Sequence, residues 1–212
     1  DRLVLVGLPL AVCAHYLSFV ADYSARSGDY LCYEAAAKAI LEGANPYGKC
    51  YFYPPLMAQV MAALFRLGQA LTLAVNRPVE DMHIWYVIFY GYQCAQFYLI
   101  ALAYLLGYRT ARRMGAQAHW ASLAMAALLL FNNALVRTIR HNQVNLWVLD
   151  LELLALLLIA ERPWLAGLAT ALAGHIKVYP LLLLGPWALT RRWRAVLGTV
   201  AGAAAIILAQ LA

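Results

Sequence analysis

Long apolar runs alternate with short polar segments along most of the chain. The runs at residues 3–21, 84–107, 120–136 and 146–160 approach or exceed the roughly 18 apolar residues that indicate a membrane helix. This pattern predicts an all-α integral membrane protein, built as a polytopic helical bundle in a single domain over residues 1–212. Because the chain begins and ends close to or inside apolar runs, we expect it to be a piece of a longer protein.

One long polar segment, residues 22–55, follows the first apolar run and is rich in Tyr, Gly and Pro. It contains four of the ten carboxylates of the chain, so we expect it to carry chemistry at the membrane surface. Helix-forming residues predict a helix over residues 30–42 with Asp29 as its N-cap, and Asn45-Pro46-Tyr47 predicts a turn. The alternative is a surface loop whose carboxylate only caps a helix.

A second helix is predicted over residues 56–75, because Pro54-Pro55 suits the start of a helix. Polar side chains share one face of this helix, at Gln59, Arg66, Gln69 and Asn76. We expect such an amphipathic helix to lie in the membrane surface rather than to cross the bilayer.

The distribution of arginines favours the same arrangement. Arginines within residues 109–113 and 191–194 are typical of the cytoplasmic ends of membrane helices. If the helix over residues 56–75 lies flat, then Asp29, residues 137–145 and Lys177 all face the non-cytoplasmic side. If that helix crosses, these polar elements are divided between the two sides of the membrane.

The apolar segment over residues 164–190 is interrupted near its middle by His175, Lys177, Tyr179 and Pro180. Each half has about 11 residues, or about 16 Å of helix, which is half the thickness of a bilayer. The pattern predicts a segment that enters the membrane and returns, with Lys177 near its apex.

The composition of the chain indicates which kinds of binding partner to expect. Charged residues make up 12% of the chain, and its formal net charge is +6. In a membrane protein such basic residues indicate topology and contact with anionic lipids, so we expect no nucleic-acid partner.

Cys32 and Cys50 both lie in the long polar segment, which predicts a disulfide in an oxidising compartment. No Cys or His spacing is typical of a metal site, and we expect neither a metal nor a cofactor.

Four basic side chains are candidates for binding a phosphate group, because ionisable residues at membrane depth are costly: Arg137, Arg140, His141 and Lys177. The alternative for the arginines is snorkelling to lipid headgroups, which fits Lys177 less well. Gln143 and Asn145 offer neutral groups for sugar hydroxyls, or else form interhelical hydrogen bonds. Asp150 and Glu152 in the next helix are given no catalytic role.

Several motifs, in their order along the chain, resemble glycosyltransferase family 87. They are Asn45-Pro46-Tyr47, Tyr53-Pro54-Pro55-Leu56, Arg137 with Gln143-Val144-Asn145, Ala166-Gly167, Lys177-Val178-Tyr179-Pro180 and Arg191-Arg192-Trp193-Arg194. The resemblance implies the GT-C fold, with surface-lying helices in the first outer loop, and a polyprenyl-phosphate-mannose donor. It also implies that Asp29, at the position of the family's first-loop carboxylate, is the catalytic base. Asp22 and Glu34 are the nearby alternatives.

The chain departs from the family's usual Gly-Gln-x-Asn, because Asn142 stands where a glycine is usual. Asn is among the few other residues that are enriched at positive φ, so we expect a left-handed turn to survive. The residues expected to contact the substrate are Tyr30, Asn45, Tyr47, Tyr53, Gln143, Asn145 and Tyr179.

The predicted reaction moves a sugar, by the resemblance mannose, from a polyprenyl-phosphate-sugar to a hydroxyl of a glycolipid or glycan. One base without a second carboxylate favours a single displacement with inversion. We expect a multi-pass protein of a bacterial inner membrane, in contact with membrane lipids, with its active site on the non-cytoplasmic face. The alternatives are a GT-C enzyme that moves another sugar such as arabinose, and a transporter or lipid-binding scaffold built around Lys177.

Overall fold

The computed structural model describes residues 3–22, 26–48, 50–75 and 79–211, and all regular structure within these ranges is helical. A π-helical turn (Leu3–Gly7) and a 3₁₀ helix (Tyr179–Leu183) accompany ten α-helices: α1 (Leu8–Asp22), α2 (Asp29–Leu41), α3 (Leu56–Ala74), α4 (Asp81–Arg113), α5 (Ala118–Leu130), α6 (Asn133–Arg140), α7 (Asn145–Leu158), α8 (Pro163–Ile176), α9 (Leu184–Leu189) and α10 (Trp193–Leu211). The prediction of an all-α polytopic membrane protein is confirmed.

The two helices predicted in and after the long polar segment are present as α2 and α3. Cys32 on α2 is bonded to Cys50 in the following loop, with their Cα atoms 5.5 Å apart, so the predicted disulfide is confirmed. The buried faces of α2 and α3 pack together through Tyr33, Ala37 and Met61. Asn76, predicted on the polar face of α3, lies outside the described residues.

The helix α4 is longer than the predicted span over residues 84–107, and it has 33 residues. The arginines of residues 109–113 therefore belong to the last turns of α4. Three contacts fix its orientation: Gln93 bonds to Asn142, and Arg113 bonds to the Leu157 carbonyl and lies 3.0 Å from Glu161. Twenty residues separate Gln93 from Arg113, or about 30 Å of helix, which matches the hydrocarbon thickness of a bilayer.

The span predicted over residues 120–136 is wrong as a single helix. Its two parts, α5 and α6, meet at an angle of 52°, and they are long enough to cross a membrane only when taken together. Asn132 causes a new start, because its side chain accepts a hydrogen bond from the Leu135 N–H at 3.1 Å. A side-chain N-cap of this kind satisfies backbone N–H groups at the beginning of a helix.

The interrupted segment over residues 164–190 does break at Lys177, which ends α8 in an extended conformation. Beyond it, the 3₁₀ helix folds back, and Leu181 packs against Gly174. The helix α10 then runs parallel to α8, with Gly167 against the backbone of Thr199 and Gly202 against Leu168. Glycines at these positions allow the two helix backbones to approach closely.

These contacts give the bundle two chemically different ends. One end contains Asp29, the turn at residues 141–145 and Lys177, and the other contains Arg113 and the arginines that precede α10. By length and composition α3, α4, α10 and the pair of α5 with α6 are each able to cross a membrane. The helix α3 packs on the first part of α4, where Phe65 stacks on Trp85 and Gly68 meets Ile84. The arrangement in which α3 lies flat in the membrane surface stays a prediction.

We expect cysteine labelling to place the two ends on opposite sides of the membrane. In a background without Cys13 and Cys94, a membrane-impermeant maleimide should modify Glu42→Cys in intact cells and Arg112→Cys only after permeabilisation. Both positions are exposed, so access of the reagent reports sidedness rather than burial. Modification of both cysteines from the same side would contradict this topology.

Candidate active site

Asp29 occupies the first turn of α2, beside the turn between α6 and α7. The expectation that it caps α2 is wrong: Gly28 is the N-cap, with φ at 60°, and Asp29 is the first helical residue. The Asp29 backbone N–H donates to the His141 carbonyl at 2.9 Å. An added Cβ at Gly28 would lie 2.5 Å from the same carbonyl oxygen, so the approach of the two segments requires a glycine. The Asp29 carboxylate is therefore not used for capping.

Tyr53 joins the Asp29 carboxylate to Lys177. Its hydroxyl donates to Asp29 Oδ2 at 3.2 Å, and the Lys177 ammonium nitrogen lies 4.7 Å from the centre of its ring. A cation over an aromatic face is attracted by the ring quadrupole. An acid, a phenol and an amine, all singled out in the sequence, thus form one cluster.

Asn145 orients the Lys177 side chain. Its Oδ1 accepts from the Lys177 ammonium at 2.6 Å, and its Nδ2 donates to Thr138 Oγ1 at 2.9 Å and to Gln143 Oε1 at 2.8 Å. The side chain of Asn145 therefore forms interhelical hydrogen bonds, which was one of the two roles weighed for it. These bonds hold the ammonium group over the ring of Tyr53.

Asn142 adopts the left-handed conformation expected of it, with φ at 51°. Its side chain accepts from Gln93 at 2.7 Å and donates to the Ser27 carbonyl at 3.1 Å, and its own carbonyl accepts from Tyr92 at 2.8 Å. Asn142 is almost fully buried. The turn is thereby fixed to α4 and to the residues that precede Asp29.

The other predicted site residues lie in different surroundings, and their roles stay predictions. The side chains of Arg137, Arg140 and His141 are exposed along α6, and His141 meets Asp29 through its carbonyl rather than its ring. Tyr30 is fully buried against Phe89 and Tyr92, so it packs in the core rather than facing a substrate.

Three further residues were predicted to contact the substrate: Asn45, Tyr47 and Tyr179. Asn45 and Tyr47 are exposed in a turn, closed by a hydrogen bond from the Tyr47 N–H to Asn45 Oδ1 at 2.9 Å. Tyr179 lines a separate hollow beside α6.

Of the alternative carboxylates, Glu34 is less suited to act as a base. Glu34 is buried and held by Arg26 at 2.5 Å and by Lys38 at 2.7 Å, so its oxygens are already paired. Asp150 is buried on α7, where neither oxygen has a hydrogen-bond partner among the described residues. The side chain of Asp22 lies outside the described part of the chain.

Sequence reasoning missed the residues of α4 that support the site. Tyr92, Gln93 and Gln96 are buried, and Gln96 donates to the Tyr92 hydroxyl and to the Gln143 carbonyl, both at 2.7 Å. Two glutamines within an apolar run were an available signal, because polar groups at membrane depth need partners. Thr138 gave no comparable signal. Among the described residues, no group of three or more His, Cys, Asp or Glu side chains is placed to hold a metal ion.

Comparison with known proteins identifies the family. The sequence model of glycosyltransferase family 87 matches residues 51–212, well over half of the chain. The chain belongs to glycosyltransferase family 87. No curated protein and no solved structure matches it. As a family 87 member it is a membrane glycosyltransferase, and the matched region contains Tyr53, Asn145 and Lys177. Asp29 precedes that region, so its place in the glycosyltransferase site rests on its contacts with Tyr53 and His141.

The left-handed turn makes a prediction about stability. Asn142→Ala removes the hydrogen bonds to Gln93 and Ser27, at about 1 kcal/mol each, and also loses the better tolerance of the left-handed conformation that asparagine has over alanine. We expect the free energy of unfolding to fall by about 3 kcal/mol. Asn142→Gly should lose about 1 kcal/mol less, because glycine tolerates positive φ.

Thermal unfolding of the detergent-purified protein measures this difference, with the exposed Asn133→Ala on α6 as a control. Equal unfolding temperatures for the alanine and glycine variants of residue 142 would show that the left-handed backbone is not the constraint.

Proposed function

We propose that this glycosyltransferase moves mannose from a polyprenyl-phosphate-mannose donor to a hydroxyl of a glycolipid or glycan acceptor, on the non-cytoplasmic side of a bacterial inner membrane. The observation that carries the proposal is that Tyr53 contacts both charged groups. Its hydroxyl donates to the Asp29 carboxylate, and the Lys177 ammonium lies over its ring. The choice of mannose rests on the resemblance to mannosyltransferases of the family, and arabinose is the alternative sugar.

Asp29 acts as the general base. It takes the proton of the acceptor hydroxyl while the acceptor oxygen bonds to the anomeric carbon and the bond from that carbon to the phosphate oxygen breaks. A retaining displacement needs a second carboxylate about 5–5.5 Å away to act as nucleophile. The nearby Glu34 is paired with Arg26 and Lys38, so the arrangement favours a single displacement with inversion.

Lys177 binds the lipid phosphate and stabilises it as it leaves. An ammonium that is fixed before the reaction, here by Asn145 and Tyr53, needs no reorganisation when charge develops on the phosphate oxygen. The exposed Arg137, Arg140 and His141 remain candidates for contacts with the donor phosphate, and the charges of the two arginines attract the anionic donor.

The proposed side of the site is supported by a disulfide and by the distribution of charge. The Cys32–Cys50 disulfide lies in the same segment as Asp29, and disulfides persist in oxidising compartments rather than in the cytosol. Arginines dominate the opposite end of the bundle, as the positive-inside rule requires of a cytoplasmic end. Both observations support an active site on the non-cytoplasmic face.

Asp29→Asn should lower kcat by at least about 10²-fold, because general-base assistance contributes about 10²–10⁴-fold and the amide keeps the shape of the carboxylate. Binding of the polyprenyl-phosphate-mannose donor should be largely kept. The measurement is transfer of labelled mannose by the purified full-length protein. Glu42→Gln, which neutralises an exposed carboxylate at the other end of α2, is the matched control. Near-normal turnover by Asp29→Asn would place the base elsewhere.

Lys177→Met should weaken binding of the donor and of sugar-free polyprenyl phosphate by a similar factor, about 10-fold or more, since a charged hydrogen bond contributes about 1.5–3 kcal/mol. Turnover should fall as well, because the phosphate is charged before and after transfer. Equilibrium binding of both lipids and the rate of transfer test this, with Arg66→Met on α3 as an exposed-cation control. Unchanged affinity for the sugar-free lipid phosphate would remove Lys177 from the phosphate site.

A further inference from the structure

A hollow of about 340 Å³ lies beside the cluster, between α6, the first turns of α7 and the 3₁₀ helix. Asn132, Thr138, Asn145 and Tyr179 contribute its polar groups, leucines line the rest, and none of its lining residues is charged. Two other hollows differ in chemistry. One, between α2 and α4, is lined by four charged residues, and the other, between α3 and α4, is almost wholly apolar.

The polar groups of this hollow have hydrogen-bonding capacity left over. The Asn132 Oδ1 caps α6, and no hydrogen bond of its Nδ2 is found within the described residues. Thr138 Oγ1 accepts from Asn145, which leaves its O–H to donate. The Tyr179 hydroxyl is likewise without a described partner. Uncharged donors and acceptors beside an apolar and aromatic wall suit a neutral polyhydroxylated ring better than a phosphate or a hydrocarbon chain.

The break between α5 and α6 points independently to a polar occupant. Phe131 and Asn132, at the 52° bend, are exposed inside a helix pair that crosses a membrane only as a unit. Irregular backbone at membrane depth is tolerated where protein shields it or where it lines a water-filled cavity. Since Asn132 lies at the break and also lines the hollow, the hollow supplies the polar surroundings that the break requires.

We propose that this hollow binds the sugar ring of a lipid-linked substrate, with Asn132 and Tyr179 as residues that determine specificity. The inference rests on the proposed glycosyl transfer and adds the place where the sugar lies. Asn145 links the two parts of the site, because it lines the hollow and also holds Lys177. The ring belongs either to the donor or to the acceptor, and the experiment distinguishes these sources.

Two variants test the hollow in the full-length protein without disturbing the fold. Asn132→Ser keeps an N-cap side chain and removes the amide donors, since serine and asparagine cap helices about equally well. Tyr179→Phe keeps the ring and removes the hydroxyl. Asn133→Ser, on the adjacent exposed asparagine, is the matched control because Asn133 does not line the hollow.

Binding and kinetics are measured separately, with polyprenyl-phosphate-mannose and sugar-free polyprenyl phosphate as probes. We expect Asn132→Ser and Tyr179→Phe each to raise the Kd or KM of one sugar-bearing substrate by about three- to tenfold, the effect of one lost hydrogen bond. The affinity for sugar-free polyprenyl phosphate should not change. An effect on the donor alone assigns the hollow to the donor sugar, and an effect on the acceptor alone assigns it to the acceptor sugar.

Two outcomes would overturn the inference. In one, both variants bind every substrate as the wild-type protein does. In the other, they lose affinity for sugar-free polyprenyl phosphate as strongly as for the mannose-bearing lipid. Failure of the wild-type protein to transfer mannose would instead count against the proposed function, because the comparison of the two lipids by binding does not depend on turnover.

Discussion

The turn at Asn142 must satisfy its polar groups within the protein, and the rest of the site depends on how it does so. Asn142 is almost fully buried, and an unpaired amide or carbonyl in a buried place costs several kcal/mol. Gln93 and Tyr92 supply partners from α4, and Ser27 supplies one from the segment before α2. Three parts of the chain are thus joined at one residue, and the neighbouring His141 carbonyl is presented to Asp29.

The same turn controls both charges of the cluster. Asp29 is placed by the hydrogen bond to His141, and Lys177 is placed by Asn145, at the start of the helix that follows the turn. Tyr53 contacts both, so the acid and the amine are not independent of each other. In a partly desolvated place such a pair interacts more strongly than in water. A charged phosphate that approaches Lys177 therefore also changes the environment of Asp29.

The sequence was informative where a local rule decides the structure. Helix-forming composition predicted α2, and Pro54-Pro55 predicted the start of α3. The presence of Cys32 and Cys50 in one polar segment predicted their bond, and the asparagine at a usual glycine position predicted the positive φ. The bend at Asn132 was missed, because hydropathy does not register a change of helix direction inside an apolar run. The convergence of Arg137 with Lys177 was expected from topology alone and stays a prediction, with Arg137 exposed on α6. The partners of Asn142 on α4 depend on tertiary contacts that no periodicity encodes.

The contacts that complete the site differ greatly in how much of the chain must be synthesised before they can form. Cys32 and Cys50 are only 18 residues apart, so both are present soon after the first helix has been made. The hydrogen bond from Asn142 to Ser27 joins residues 115 apart and has to wait for five intervening helices. During synthesis from the N-terminus, the loop that carries the carboxylate acquires its crosslink early. The turn at Asn142, which positions this loop, is synthesised more than a hundred residues later.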